Sequence, residues 1–497
     1  MCALDNRPSP PATSLLPEPA PPRRRGRVLV RLLTVALSAG VAAGGTLLLW
    51  PHEPHRAAPA PAAGPKARTA ARAAALAAAQ TAVLNGLPAA LPDLTTLIGA
   101  REARVRAQPK DAAAWAVLGT AYVERARRTA DTGDYPRAER ALQTSLKAAG
   151  KNNTEALDGL AGLAVARRDF AGARRYGEDA LKAAPKRWSA YPVLIDAYNG
   201  LGDYKAARSA LDKLMALKVG ADVKPAVMAR ASAVYRDRGW REDAAAQVTD
   251  AAAAARTPAE QAAYLCQAGQ LAWERGDRED ALRHFTAAVR LDPDQSAARA
   301  GQGRALAALG RTQEALTAYQ GSLAHRPTPQ VALEFGELYE SLGMGQQAEA
   351  QYELMRTQVR RELESGVDDD LVIGRYEADH GDVQEAVERL TAEWERQPGI
   401  EVADSLGWAL HRAGDDKEAL GYASIATDST KGGGVRSALY AFHRGMIERE
   451  LDLDAPARRH LQDALRTNQY FSPLQAPAAH AALTTLGSQP PEEPLPG

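Results

Sequence analysis

Few side chains in this sequence of 497 residues have the types and spacing that chemistry requires. His284, His325, His380, His411, His443 and His460 are scattered, and none pairs with another at the H-E-x-x-H spacing of a zinc site. A subset could still ligate a metal, the other reading being isolated structural histidines; His52 and His55 read as incidental. Asp368, Asp369 and Asp370 offer oxygen ligands for a hard cation, or else start a helix by capping it and complementing its dipole. Lys151 follows Gly150 without the loop that cradles a phosphate. Asn152, Asn153 and Thr154 fit the glycosylation pattern N-x-S/T, and equally a helix start with Thr154 as cap and Glu155 in the first turn. There is no G-x-S-x-G elbow, Walker loop or C-x-x-C pair. The sequence therefore predicts a protein that binds without catalysis, cofactor or metal.

Charge narrows the partners. Lys plus Arg and Asp plus Glu each number 61, so no whole-protein field draws nucleic acid. Positive charge is nevertheless gathered at one end, where Arg7, Arg23, Arg24, Arg25, Arg27 and Arg31 face only Asp5 and Glu18. Leu32 to Trp50 follows, an uncharged run long enough to cross a bilayer as one helix. The arginines predict a cytoplasmic N-terminus with the remaining chain outside. The rival is a secretory signal cleaved near Val41-Ala42-Ala43, which would start the mature protein at GGTLLLW. Cys2 and Cys266 would lie on opposite sides of the membrane, so no intrachain disulfide is expected.

The elements that would position any site are helices. Alanine is abundant, aromatic residues are 5% of the chain, and β-branched runs are rare. From Ala112 the chain repeats: Ala138, Ala173, Ala207, Ala244, Ala281, Ala315, Ala348, Ala386, Ala419 and Ala457 recur in register, each where a second helix crosses the first too closely for a larger side chain. Gly119, Gly269, Gly303, Gly336, Gly374, Gly407 and Gly445 hold the matching place on the first helices. Gly133, Gly202, Gly239, Gly276, Gly310, Gly343, Gly381 and Gly414 stand between the helices, where a left-handed residue ends a helix, and Pro185, Pro293, Pro327 and Pro398 stop second helices. Ile195 replaces the small residue, Arg168 replaces the turn glycine, and Asp370, Arg299 and Ala441 stand in the column of Trp115.

This pattern resembles the tetratricopeptide repeat, in about ten units from 112 to 470. The expected fold is an all-α, right-handed superhelical solenoid preceded by one transmembrane helix. Its parts are a disordered basic tail at 1–27, the anchor helix at 28–50, a Pro/Ala linker at 51–66, N-terminal helices at 67–111, the solenoid at 112–470, a C-terminal cap at 471–486 and a disordered tail at 487–497. Asp93 is the expected cap of a helix over 93–106. Val367–Asp382, Val402–Gly414 and Phe442–Pro473 carry a further resemblance, to actinobacterial membrane-anchored repeat proteins whose genes are often near those of divalent-metal transporters.

Such a solenoid implies a concave groove lined by first helices, suited to a partner protein or peptide. The fifth, ninth and twelfth positions of each unit place Asp196, Asn199, Arg236, Cys266, Gln270, Glu337, Glu340 and Met446 there. Trp273, Arg304, Arg375, Trp408, His411, Phe442 and Arg449 are the candidate binding residues: aromatic anchors and guanidinium groups for carboxylates. The competing reading packs the aromatics against a neighbouring hairpin or terminal helix and pairs the arginines with nearby acids. No Lys and Asn set that clamps a C-terminal carboxylate across adjacent units is found. The expected function is a membrane-anchored scaffold outside the cytoplasmic membrane; the alternative is an accessory subunit of a transport or envelope-assembly system, linked through the resemblance to divalent-metal transport, and a third reading is an enzyme or its substrate-recruiting arm. One irregularity stands out. From Tyr122 to Ala138 the first unit carries seven residues more than the repeat expects, read as an elongated capping hairpin with Arg125, Arg127 and Arg128 exposed, built either by a further turn on each helix or by a polar loop.

Overall fold

Between the two helices of most hairpins stands a glycine or its substitute followed by aspartate, and this pair accounts for the turn. The first residue ends one helix in the left-handed region, and the aspartate caps the next: Asp169, Asp203 and Asp415 accept from the backbone N–H groups of Gly172, Ala206 and Glu418. Arg168 fills the glycine's place with φ 60° and does the same job. Two expected turn glycines do not: Gly133 is right-handed, because Ala130 takes the left-handed step one turn earlier, and Gly381 is extended.

The computed structural model describes residues 65–430 and 434–487. The tail at 1–27, the anchor helix at 28–50, most of the linker at 51–66 and nearly all of the tail at 487–497 lie outside the described residues. Among the described residues no helix is long and apolar enough to cross a membrane, and every regular element is an α-helix. Helix α1 (Pro65–Leu84) begins inside the stretch expected to be linker, and α2 (Leu91–Ala107) has Pro92 and Asp93 in its first turn, so Asp93 is not its cap. Ten hairpins follow. Repeats 1 to 3 are α3 (Ala112–Thr129) with α4 (Asp134–Ala149), α5 (Thr154–Ala166) with α6 (Phe170–Ala183), and α7 (Ala190–Gly200) with α8 (Tyr204–Ala216). Repeats 4 to 6 are α9 (Lys224–Asp237) with α10 (Arg241–Ala254), α11 (Pro258–Glu274) with α12 (Arg278–Leu291), and α13 (Ser296–Ala308) with α14 (Thr312–His325). Repeats 7 and 8 are α15 (Pro329–Ser341) with α16 (Gly345–Glu364) and α17 (Asp370–His380) with α18 (Val383–Arg396). Repeats 9 and 10 are α19 (Ile400–Arg412) with α20 (Asp416–Thr427) and α21 (Ala438–Glu450) with α22 (Asp454–Thr467). Helix α23 (Gln475–Thr485) packs on the last hairpin and buries Ala476, Ala479, Ala482 and Leu483.

The two small-residue columns meet inside each hairpin. Every alanine of the ten is at most 3% exposed. A Cβ at Gly336 would lie 2.3 Å from a Tyr352 ring carbon, and one at Gly119 would lie 2.5 Å from Leu142. Overpacking of this kind costs about 1–3 kcal/mol per site, which is why the columns persist. The expected prolines each stand just past a second helix. Helix α5 is capped by Asn153, whose side chain accepts from Ala156 N, so Thr154 is the first helical residue and not the cap.

The solenoid coils tightly enough to touch itself. The hairpin tips of repeats 2 to 5 seat on junctions about 195–200 residues further along. Arg167 and Arg168 of repeat 2 meet Ser365, Asp368 and Asp369. The Tyr204 hydroxyl of repeat 3 accepts from Ile400 N at 2.8 Å. Arg241 of repeat 4 donates to the Arg436 carbonyl, and Asn468, beyond repeat 10, donates to the Trp273 carbonyl of repeat 5 at 2.8 Å.

The elongated first hairpin belongs to this seam. Most of its extra length is in α3, which has 18 residues where α13 has 13. The added turn carries Arg128 onto Asp292, at 2.6 Å with side chains only 7% and 9% exposed. Arg128 is therefore not the exposed cap residue expected; Arg125 is half-buried against Asp134, and only Arg127 is exposed.

Candidate binding cavity

Because repeats 5 to 10 make one turn whose ends meet at Asn468 and Trp273, their first helices surround a lumen. Its cavity has a volume of about 1010 Å³. Helices α11, α13, α15, α17, α19 and α21 form the wall, and residues 469–480 cover one side. The covering segment is held by Phe471 against Phe442, by Arg278 over the Tyr470 ring at 4.5 Å, and by Gln475 donating to Asp379 at 3.3 Å.

Four of the seven candidate residues line the cavity: Trp273, Arg304, Arg375 and Trp408. Trp273 and Trp408 are largely buried in its wall. The Trp408 indole N–H donates to Asp379 at 2.9 Å, and its ring stacks on His443 with centroids 4.2 Å apart. Phe442, 1% exposed, lies behind the wall between Trp408 and Phe471. His411 and Arg449 are outside the lining; His411 is bonded to Asp416 and leans on Trp408.

The concave face is knitted by polar links between consecutive first helices. Arg230 pairs with Asp196, Asn199 donates to Asp237, and Arg236 holds Glu274 through two bonds of 2.7 and 2.8 Å. Arg304 continues the ladder, donating to Gln270 behind it and to Glu334 ahead at 3.0 Å. Burial opposes its charge, but Glu334 and Tyr319 together outweigh burial and raise its pKa. Most groove-facing arginines are thus spent on cohesion. Arg375 differs: its Nε donates to the neutral Ser405 hydroxyl at 2.8 Å.

Sequence reasoning missed the acceptors of this ladder, among them Glu334, Asp379, Ser405 and Asp404, which holds His443 Nδ1 at 3.0 Å. Their partners sit one repeat away, at separations of about 30–39 residues, and the signal available was only the repeat period itself. One site raised by sequence takes a bland form. Arg396 donates to Asp368, Asp370 and Glu393 at 3.2, 2.6 and 2.5 Å, so a guanidinium occupies the place where these acids would hold a cation. Burial, followed by the nearby Asp368, pushes Glu393 up to about 7. Burial also pushes the Cys266 thiol up to about 11, the opposite of what a nucleophile needs.

Residues 123–187 and 266–332 match a family model described as the tetratricopeptide repeat. No curated protein matches the sequence. Among solved structures, the human IFIT1 dimer with PPP-AAAA is 16% identical, over 63% of this chain and 72% of that one, with a TM-score of 0.44. Yeast Tom70 is 13% identical over 74% of this chain and 96% of its own, with a TM-score of 0.32. A tetratricopeptide repeat protein from Parabacteroides merdae is 16% identical over 53% and 99%, also with a TM-score of 0.32.

Proposed function

We propose that this tetratricopeptide-repeat protein is a scaffold that holds a peptide segment of a partner protein in the lumen of repeats 5 to 10, without covalent chemistry. The observation that carries this reading is the cavity of about 1010 Å³, large enough for several residues and lined by aromatic walls with a few fixed polar groups. The uncharged run Leu32–Trp50 with its arginine flank supports attachment to the cytoplasmic membrane by one helix at 28–50, with the repeats outside. That run also favours a second reading, an accessory subunit that holds a transport or envelope-assembly partner beside the bilayer.

Ala307→Trp and Ser341→Trp add bulk to the lumen from two walls. Partners captured by the full-length protein from its own membranes, counted by mass spectrometry, are expected to fall about tenfold with an unchanged unfolding midpoint. Undiminished capture removes the lumen as the binding place. The full-length protein should stay with membranes through carbonate washing; release into the wash removes the anchor and leaves the lumen reading standing.

A further inference from the structure

We infer that Arg375 anchors a carboxylate-binding site, so that the lumen takes a ligand with one carboxylate beside an apolar body. This rests on the lumen being the place of binding. Arg375 is an exception in the concave ladder. Arg230, Arg236 and Arg304 each meet a carboxylate of their own polypeptide. Arg375 has one hydrogen bond among the described residues, from Nε to Ser405 Oγ. Ser405 is itself buried and locked, its hydroxyl donating to the Glu401 carbonyl at 2.9 Å. The guanidinium is therefore oriented while Nη1 and Nη2 remain uncommitted at the wall of the cavity. Two parallel N–H donors in a fixed plane match the two oxygens of a carboxylate, and a half-buried cation gains most from such a partner because little water competes for it.

The surroundings define the rest of the ligand. Trp408, Leu439 and Phe471 line the same cavity and offer apolar surface. Asp379 and Glu401 line it too. These acids repel a second negative charge, so a monocarboxylate is admitted where a polyanion is refused. The C-terminus of a peptide, an acidic side group and a small organic acid all present the required carboxylate.

The test uses a pool of N-acetylated random tetrapeptides, half with free and half with amidated C-termini, passed over the immobilised full-length protein and read by mass spectrometry. Free acids should be retained about tenfold over amides that lack Asp and Glu. Retention of amides that contain Asp or Glu assigns the acidic side group as a source, and competition by phenylacetate assigns a small acid as one. Arg375→Met should abolish the difference, Arg375→Lys should keep part of it, and Arg449→Met, outside the lining, should leave it unchanged. Equal retention of acids and amides, or a difference that survives Arg375→Met, overturns the anchor and leaves the lumen reading intact. Retention of no member also overturns the anchor, and the Ser341→Trp capture result then decides separately on the lumen.

Discussion

The hairpin tips of repeats 2 to 5 and those of repeats 6, 7 and 9 are built alike but live in different surroundings. Gly202 and Gly310 have nearly equal φ, 69° and 72°, and each ends a first helix. A Cβ on Gly202 would lie 2.3 Å from the Pro398 carbonyl oxygen of the next superhelical turn, whereas one on Gly310, Gly343 or Gly414 would meet nothing within 4 Å. One turn motif thus serves local helix termination in both sets of tips, and long-range docking only in repeats 2 to 5. The seam is what closes the lumen, so the N-terminal repeats that line none of the cavity still determine its shape.

Breaking the comparison at its most buried point should have the largest effect. Arg128→Ala leaves Asp292 without its partner in a place where both side chains are less than 10% exposed. A loss of about 3–5 kcal/mol in urea unfolding is expected, whereas replacing both residues with leucine should restore most of it, because the desolvation of the pair disappears with the pair. If the single change is silent, the elongated first hairpin is not part of the seam.

The glycines give the next effect and the sharpest contrast. Gly310→Ala bears only the left-handed strain that any Cβ brings, about 1 kcal/mol. Gly202→Ala bears that strain and the clash with a backbone oxygen that cannot swing aside, about 2–4 kcal/mol together. The two are compared by thermal unfolding, with small-angle scattering to show whether the Gly202 variant has also expanded. Equal losses would mean that the turns of the superhelix do not press on one another.

What the sequence makes legible follows from the range of each interaction. The alanine and glycine columns report contacts within one hairpin, so the repeat period exposes them and marks Arg168 as standing where a glycine belongs. Trp273, Arg304, Arg375 and Trp408 are legible because they share a helical face that the period also defines. Phe442 shares that face but is covered by Phe471, whose position depends on the path of the polypeptide after the last repeat. Asp292 and Gly434 carry no local mark of their role. They are seam residues only because the superhelix closes after about five repeats, a curvature set by small angles summed over many packings. For the same reason the seven extra residues of the first hairpin read as an exposed cap, when their added turn is what reaches the opposite junction.

The gentlest test compares two glutamates by pH. Glu362, beneath the repeat 2 tip, is pushed up to about 8 by burial and then by Asp369, with Arg168 and Arg326 pulling the other way. Its folded value is above the unfolded one, so it favours folding fully below about pH 4.5 and progressively less as the pH rises towards about 8. Glu362→Gln mimics the protonated form at every pH; it should equal the parent near pH 4 and become the more stable of the two above about pH 8. Glu314, in the tip of repeat 6, is held below its ordinary value by its hydrogen bond from Arg311. The sign is reversed there: its contribution is present at neutral pH and lost in acid, so Glu314→Gln should be slightly less stable than the parent at neutral pH and equal to it in strong acid. Urea titrations of both variants between about pH 2 and 9 should therefore depart from the parent in opposite directions, Glu314→Gln towards lower stability above strong acid and Glu362→Gln towards higher stability at alkaline pH. Parallel curves would mean that the seam leaves Glu362 as wet as a residue on a free tip, and that the two halves of the solenoid do not differ where the geometry says they do.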